Sequence, residues 1–135
     1  MADASRGLRP RPTSPSVWIW RWHVTMAASI VHRATGAALY AGALILMLFA
    51  LSLASGADGY AAFKGAMGSI LGKVVLFGLT VSAFYHMANG VRHLTWDAGA
   101  GFEPKTADMT AWVAFGFAAL MSVGVWVLAA MTGAL

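Results

Sequence analysis

Long uncharged stretches alternate with short polar ones along this chain. From Ala34 to Ala57 no residue carries a charge. As a helix those 24 residues rise roughly 36 Å, against a bilayer core of about 30 Å. A second uncharged run covers the 18 residues from Val74 to Val91, broken in polarity only by His86, Asn89 and small hydroxyl groups. The third, Met109 to Leu135, is 27 residues long. The pattern predicts an all-α membrane protein with three transmembrane helices, over about 25–54, 69–95 and 109–133.

The first helix is expected to begin ahead of its uncharged stretch, because Thr25 to Arg33 contains neither proline nor glycine and keeps the apolar rhythm. Ser29, His32 and Arg33 then fall in its first turns. The breaker cluster Ser55-Gly56-Ala57-Asp58-Gly59 ends it, and a polar loop from Asp97 to Asp108 separates the second and third spans. Asp58, Lys64, Glu103, Lys105 and Asp108 read as solvated loop charges. Residues 1–24 form an N-terminal interfacial segment ahead of a membrane domain over 25–135. Trp18, Trp20 and Trp22 in it read as an aromatic anchor at the membrane boundary. Pro10, Pro12 and Pro15 interrupt any amphipathic helix there, and no apolar stretch with a small-residue cleavage site follows, which argues against a cleaved signal peptide.

Composition strengthens the membrane reading. Of the 135 residues 59% are hydrophobic and 10% charged, where a soluble domain carries about 25%. There is no cysteine, so within this chain a disulfide, a cysteine-held iron–sulfur cluster, a thiolate-ligated haem and covalent haem attachment are excluded. The basic pI of about 10 does not indicate nucleic acid, because the cations flank the apolar stretches without forming an aromatic-interleaved stripe. Arg6, Arg9, Arg11, Arg21, Arg33, Arg92 and Lys105 lie on the N-terminal side of the expected bilayer, and only Lys64 and Lys73 on the other. Seven against two puts the N-terminus on the cytoplasmic side.

Ionisable groups at membrane depth are costly and mark function. Ser29, His32, Arg33 and Gly36 are spaced i, i+3, i+4 and i+7, which sets them on one helical face. The planar fork of Arg33 suits an oxygen-rich partner such as a quinone carbonyl or a haem propionate. The competing reading is an arginine that snorkels to the headgroups. His86 lies inside the second span with Gly90 one turn later. An imidazole beside a missing side chain offers an iron ligand and room for a flat macrocycle; a histidine bonded to a neighbouring helix is the alternative. His93 and Asp97 share that face, as either a proton relay or a local hydrogen bond. Gly68-Ser-Ile-Leu-Gly72 and the small residues Gly116, Ala119 and Gly124 read as helix-packing surface. No phosphate-binding glycine loop, nucleophile–base–acid set or transporter-type repeat is present in the sequence.

Two strings, Ser29-Ile-Val-His32-Arg33-Ala-Thr35-Gly36 and His86-Met-Ala-Asn-Gly90-Val-Arg92-His93-Leu-Thr-Trp-Asp97, together with the Arg9-Pro10-Arg-Pro-Thr-Ser14-Pro15 lead-in, resemble the cytochrome b subunit of succinate dehydrogenase, respiratory complex II. The likeness runs from about residue 9 to 131, although the third span carries no diagnostic motif. It implies a heteromeric helical bundle around haem b, with Ser29 and Arg33 at a ubiquinone, His86 as axial ligand to the haem iron, and His32 near a haem propionate. His93 takes a propionate or supporting place around the haem. The other axial ligand would come from a second membrane-anchor subunit, and an iron–sulfur subunit and a flavoprotein subunit would dock on the cytoplasmic face. Such a chain passes electrons from succinate to quinone as part of an enzyme whose flavin and iron–sulfur sites lie elsewhere. The rivals are the anchor of a quinol:fumarate reductase and a purely structural anchor. The short N-terminus favours a bacterial inner membrane over a mitochondrial one.

Overall fold

The computed structural model describes residues 21–133, whose regular structure is entirely helical. The basic residues Arg6, Arg9 and Arg11, the lead-in at 9–15, and Trp18 and Trp20 of the expected aromatic anchor lie outside the described residues. Helix α1 spans Val24–Ala54, α2 Ala57–Gly68, α3 Ile70–Asp97 and α4 Pro104–Met131. Helices α1, α3 and α4 are each long and apolar enough to cross a bilayer.

Helix α3 is the centre of the arrangement, packed along both α1 and α4, while α1 and α4 touch less. The buried seam is built from small groups: Ala28 on α1, Ser82 on α3, and Ala111, Ala114, Ala118 and Ser122 on α4. Between apolar helices in lipid there is little hydrophobic gain from association, so close backbone approach and hydrogen bonds carry the contact. Leu44, Leu48 and Leu51 on α1 and Val113, Leu120 and Leu128 on α4 point outward instead. The α4 stripe differs from the one expected. Gly116, Ala119 and Gly124 lie on its exposed side, and an added Cβ at Gly116 or Gly124 would meet nothing within 4 Å. Composition shows that α4 has small residues, but only the partner helix decides which of them face it.

Two large side chains pin this seam. The Tyr85 hydroxyl donates to the Ala28 carbonyl at 2.8 Å, fully buried, and fixes the depth of α3 against α1. The Trp126 indole N–H donates to Thr80 Oγ1 at 3.2 Å, and ties α4 to α3 nearer their other ends.

The connections depart from the loop reading. Residues 57–68, expected as a solvated loop, form α2, which carries Asp58 and Lys64. The corner into α3 depends on Ser69 and Gly72. The Ser69 hydroxyl accepts from the Gly72 N–H at 3.1 Å, as an N-cap does. A Cβ on Gly72 would lie 2.6 Å from the Met67 Cα, so only glycine lets α3 start so close under α2. At the other corner α4 begins at Pro104, five residues before its uncharged stretch. Proline at the first helical position gives up no hydrogen bond and has its φ already set, so a helix start is where it fits. Lys105 and Asp108 are therefore helical, and Asp108 approaches His23 at 3.4 Å.

Candidate functional site

Four side chains of the two motifs meet where the first part of α1 crosses α3. The His86 ring projects from α3 onto α1, and its contact point is Gly36. A Cβ there would lie 3.1 Å from His86 Cε1, so the ring occupies the space that any other residue would fill. The ring stacks on His32, with centroids 4.0 Å apart and planes 8° from parallel. His93, two turns after His86, brings its ring to 5.0 Å from His32 at 44°.

The tautomer of His86 follows from its partners. Nδ1 lies 3.2 Å from the His32 carbonyl oxygen and 3.3 Å from Thr35 Oγ1. A carbonyl can only accept. The Thr35 hydroxyl sends its own proton to the carbonyls of Val31 at 2.8 Å and His32 at 3.0 Å, which leaves its lone pairs free. Nδ1 therefore carries the hydrogen, and the lone pair sits on Nε2. That second nitrogen has no hydrogen-bond partner among the described residues and is not one of the buried unpaired atoms, so it is accessible at their surface. Imidazoles that ligate metals are commonly held this way, one nitrogen bonded to a backbone carbonyl and the other open.

Open space lies beside the His86 ring on α3. Nothing lies within 4 Å of a Cβ built on Gly90, one turn beyond His86, so the chain leaves that space clear. His32 Nε2 is buried and has no partner among the described residues, a polar atom that a propionate oxygen would satisfy. Among the described residues no set of three or more His, Cys, Asp or Glu side chains is arranged to hold a bare metal ion. The histidine cluster suits one axial bond and hydrogen bonding, not a mononuclear site.

Ser29 and Arg33 lie one turn apart at the start of α1, beside His32. Every serine and threonine on α3 donates its hydroxyl back to a helix carbonyl, as Thr80, Ser82 and Thr95 do. The half-buried Ser29 hydroxyl has no hydrogen bond, and the exposed Arg33 guanidinium has neither hydrogen bond nor ion pair among the described residues. Both are available to a ligand. No hydrogen bond joins His93 to Asp97 among the described residues. The His93 ring instead meets Trp96 edge-on at 5.1 Å.

Sequence alone counts Arg92 with the orientation charges, but the structure buries it to 6% exposure between α3 and α4. It donates to Thr110 Oγ1 at 3.0 Å, to the Ala107 carbonyl at 2.9 Å and to Asn89 Oδ1 at 3.4 Å, and its guanidinium sits 4.0 Å over the Trp96 ring. The fork geometry of arginine lets one cation reach three acceptors and an aromatic face at once. Residue 92 thus fastens α4 to α3 directly beside His93. The i, i+3 spacing of Asn89 and Arg92 was the available signal, hidden because both acceptors on α4 lie across a loop.

Three long apolar helices with a histidine cluster between α1 and α3 make the scaffold of a membrane-anchor subunit, and the family comparison agrees. The family described as Succinate dehydrogenase/Fumarate reductase transmembrane subunit matches residues 7–125, and the chain belongs to it. Among relatives, the succinate dehydrogenase cytochrome b556 subunit of Rickettsia felis is 35% identical over 117 residues, covering 87% of this chain and 91% of that protein. The mitochondrial succinate dehydrogenase cytochrome b560 subunits of Sus scrofa and Homo sapiens are 38% and 37% identical over 123 residues, covering 90% of this chain and 71% of each relative.

Proposed function

We propose that the chain is the membrane-anchor subunit of a succinate:ubiquinone oxidoreductase, binding haem b through His86 and helping to form the ubiquinone site with Ser29 and Arg33. The observation that carries this reading is the state of His86: Nδ1–H spent on the His32 carbonyl and Thr35, Nε2 bare and accessible. Bound haem b supplies a reversible one-electron carrier, whose chemistry belongs to the cofactor. The chain offers one histidine at suitable depth, so the other haem ligand would come from a second membrane subunit. Ligation of the iron by side chains from both subunits would favour electron transfer over oxygen binding.

His32 and His93 hold the propionate side, with the unpaired Nε2 of His32 as donor. On the same helix face, Arg33 and Ser29 aim donors at a quinone oxygen, where negative charge develops as the ring is reduced. An iron–sulfur subunit and a flavoprotein subunit deliver the electrons from the side where α1 begins, which the charge asymmetry makes cytoplasmic. Residues 1–24 form the interfacial segment on that side and 25–135 the membrane domain of a bacterial inner-membrane complex.

The test is a reduced-minus-oxidised spectrum of the purified complex together with succinate-driven quinone reduction. The wild type is expected to show a b-type band and His86→Ala to lose it. A complex without the band in the wild type is a structural anchor, and the redox reading fails.

A further inference from the structure

At the end of the bundle away from His86, the two cations of that side line one cavity. Its volume is about 390 Å³, and its walls include Lys64 and Met67 from α2, Lys73 and Leu76 from α3, Phe49 from α1 and Phe63 from α2. From these residues the geometry points to a binding site for an anionic phospholipid, its phosphate between Lys64 and Lys73 and its upper acyl chain against Phe49, Phe63 and Leu76.

Three observations select that occupant. Lys64 and Lys73 are the only lysines or arginines between Arg33 and Arg92, and both reach the same hollow. Neither makes a hydrogen bond or ion pair among the described residues, and Asp58, the one carboxylate of this connection, is not on the cavity wall. The walls are graded along the bundle axis. The ammonium groups belong to α2 and the first turn of α3, while Leu76 lies about 4.5 Å beyond Lys73 along α3, and Phe49 about 7.5 Å back from the end of α1, both toward the membrane centre. The Phe49 and Phe63 rings, 5.5 Å apart, form the apolar wall. A free phosphate would gain nothing from that wall, and a neutral quinone head would leave two cations unpaired. A molecule with an anionic head and a hydrocarbon tail satisfies both ends. Helix α2, where a loop would have served to connect two spans, holds Lys64 in place over this opening.

The experiment uses the intact purified complex, stripped of lipid by detergent exchange and titrated with phosphatidylglycerol under native mass spectrometry. The wild type is expected to retain one phosphatidylglycerol per copy of this chain in preference to phosphatidylcholine. Lys64→Gln with Lys73→Gln should weaken that binding on the order of 30-fold, from the surface attraction per cation. The double arginine variant should keep it, as should Lys105→Gln at the opposite end. Equal retention by the double glutamine variant, equal affinity for phosphatidylcholine, or displacement by inorganic phosphate alone would each overturn the site. Should the glutamine variant not assemble, a photo-crosslinking residue at Phe63 decides: capture of phospholipid supports the proposal, and capture of another subunit only refutes it.

Discussion

The imidazole of His86 lies flat on that of His32, and residue 32 holds it a second time through its backbone carbonyl, 3.2 Å from Nδ1. One position on α1 thus sets both the plane of the ring and the nitrogen that keeps the proton. Thr35, one turn along, adds the other acceptor at 3.3 Å. The orientation of Nε2 is a property of α1 as much as of α3.

Because Thr35 supports the ring without touching a ligand, Thr35→Val is expected to keep some haem while His86→Ala keeps none. Valine has the shape of threonine but cannot accept from Nδ1, and the His32 carbonyl remains. Loss of such a supporting bond weakens retention by about tenfold, the low end for partners of a metal-bound histidine. The midpoint potential of the band should also move, which redox titration of the complex reads. An unchanged potential and haem content in Thr35→Val would show that the hydroxyl serves the helix alone.

The glycines of the two motifs should separate. In Gly36→Ala the new methyl meets His86 Cε1 at 3.1 Å, so the ring must move by a few tenths of an ångström. Gly90→Ala meets no atom of the chain, and any effect it has comes from something bound there. Both variants are expected to lower haem per complex by pyridine haemochrome assay, whereas only Gly36→Ala should disturb the His32–His86 stack. Full haem content in Gly90→Ala would move the macrocycle away from that glycine.

Much of this arrangement was legible in the sequence, for reasons that differ element by element. The spans declare themselves because lipid demands uninterrupted apolar helix, and the motif spacings place Ser29, His32, Arg33 and Gly36 on one face by helical geometry alone. The meaning of Gly36 was not legible. It leaves room for His86, 50 residues away, and not for a ligand. Helix α2 escaped because its composition, with three glycines and two charges in 12 residues, is that of a loop, and its stability comes from seating on α1 and α3. Arg92 was misread for a related reason. A cation near a span end has headgroups within reach, and only the α4 acceptors Thr110 and Ala107 draw it inward.

Arg92 should therefore matter for assembly rather than for orientation. Arg92→Met removes two hydrogen bonds across the α3–α4 seam and one within α3, and leaves the fully buried Asn89 side chain with no partner among the described residues. At roughly 0.6 kcal/mol for each bond within a membrane, the loss is about 2 kcal/mol. Arg92→Lys should recover only part of it, because an ammonium on a thinner stem cannot span all three acceptors. Thermal unfolding of the detergent-solubilised complex measures this. Wild-type stability in Arg92→Met would mean that lipid or a partner chain already supplies the restraint.

Arg33 and Ser29 are expected to act on quinone turnover and not on haem. Neither makes a hydrogen bond among the described residues, so their removal costs the fold little. Haem content and thermal stability should stay near wild type in Ser29→Ala and Arg33→Lys. Loss of one donor from a site where charge develops lowers the rate on the order of 100-fold, which is the expectation for Ser29→Ala. Arg33→Lys keeps the charge but not the fork, and a fall on the order of tenfold separates directed hydrogen bonding from simple attraction. If Arg33 merely reached the headgroups, lysine would serve equally well and succinate-driven ubiquinone reduction would be unchanged. The paired measurement matters because an arginine that touched only a propionate would alter the b-type midpoint potential and leave the rate intact. A fall in rate at constant potential assigns the guanidinium to the quinone.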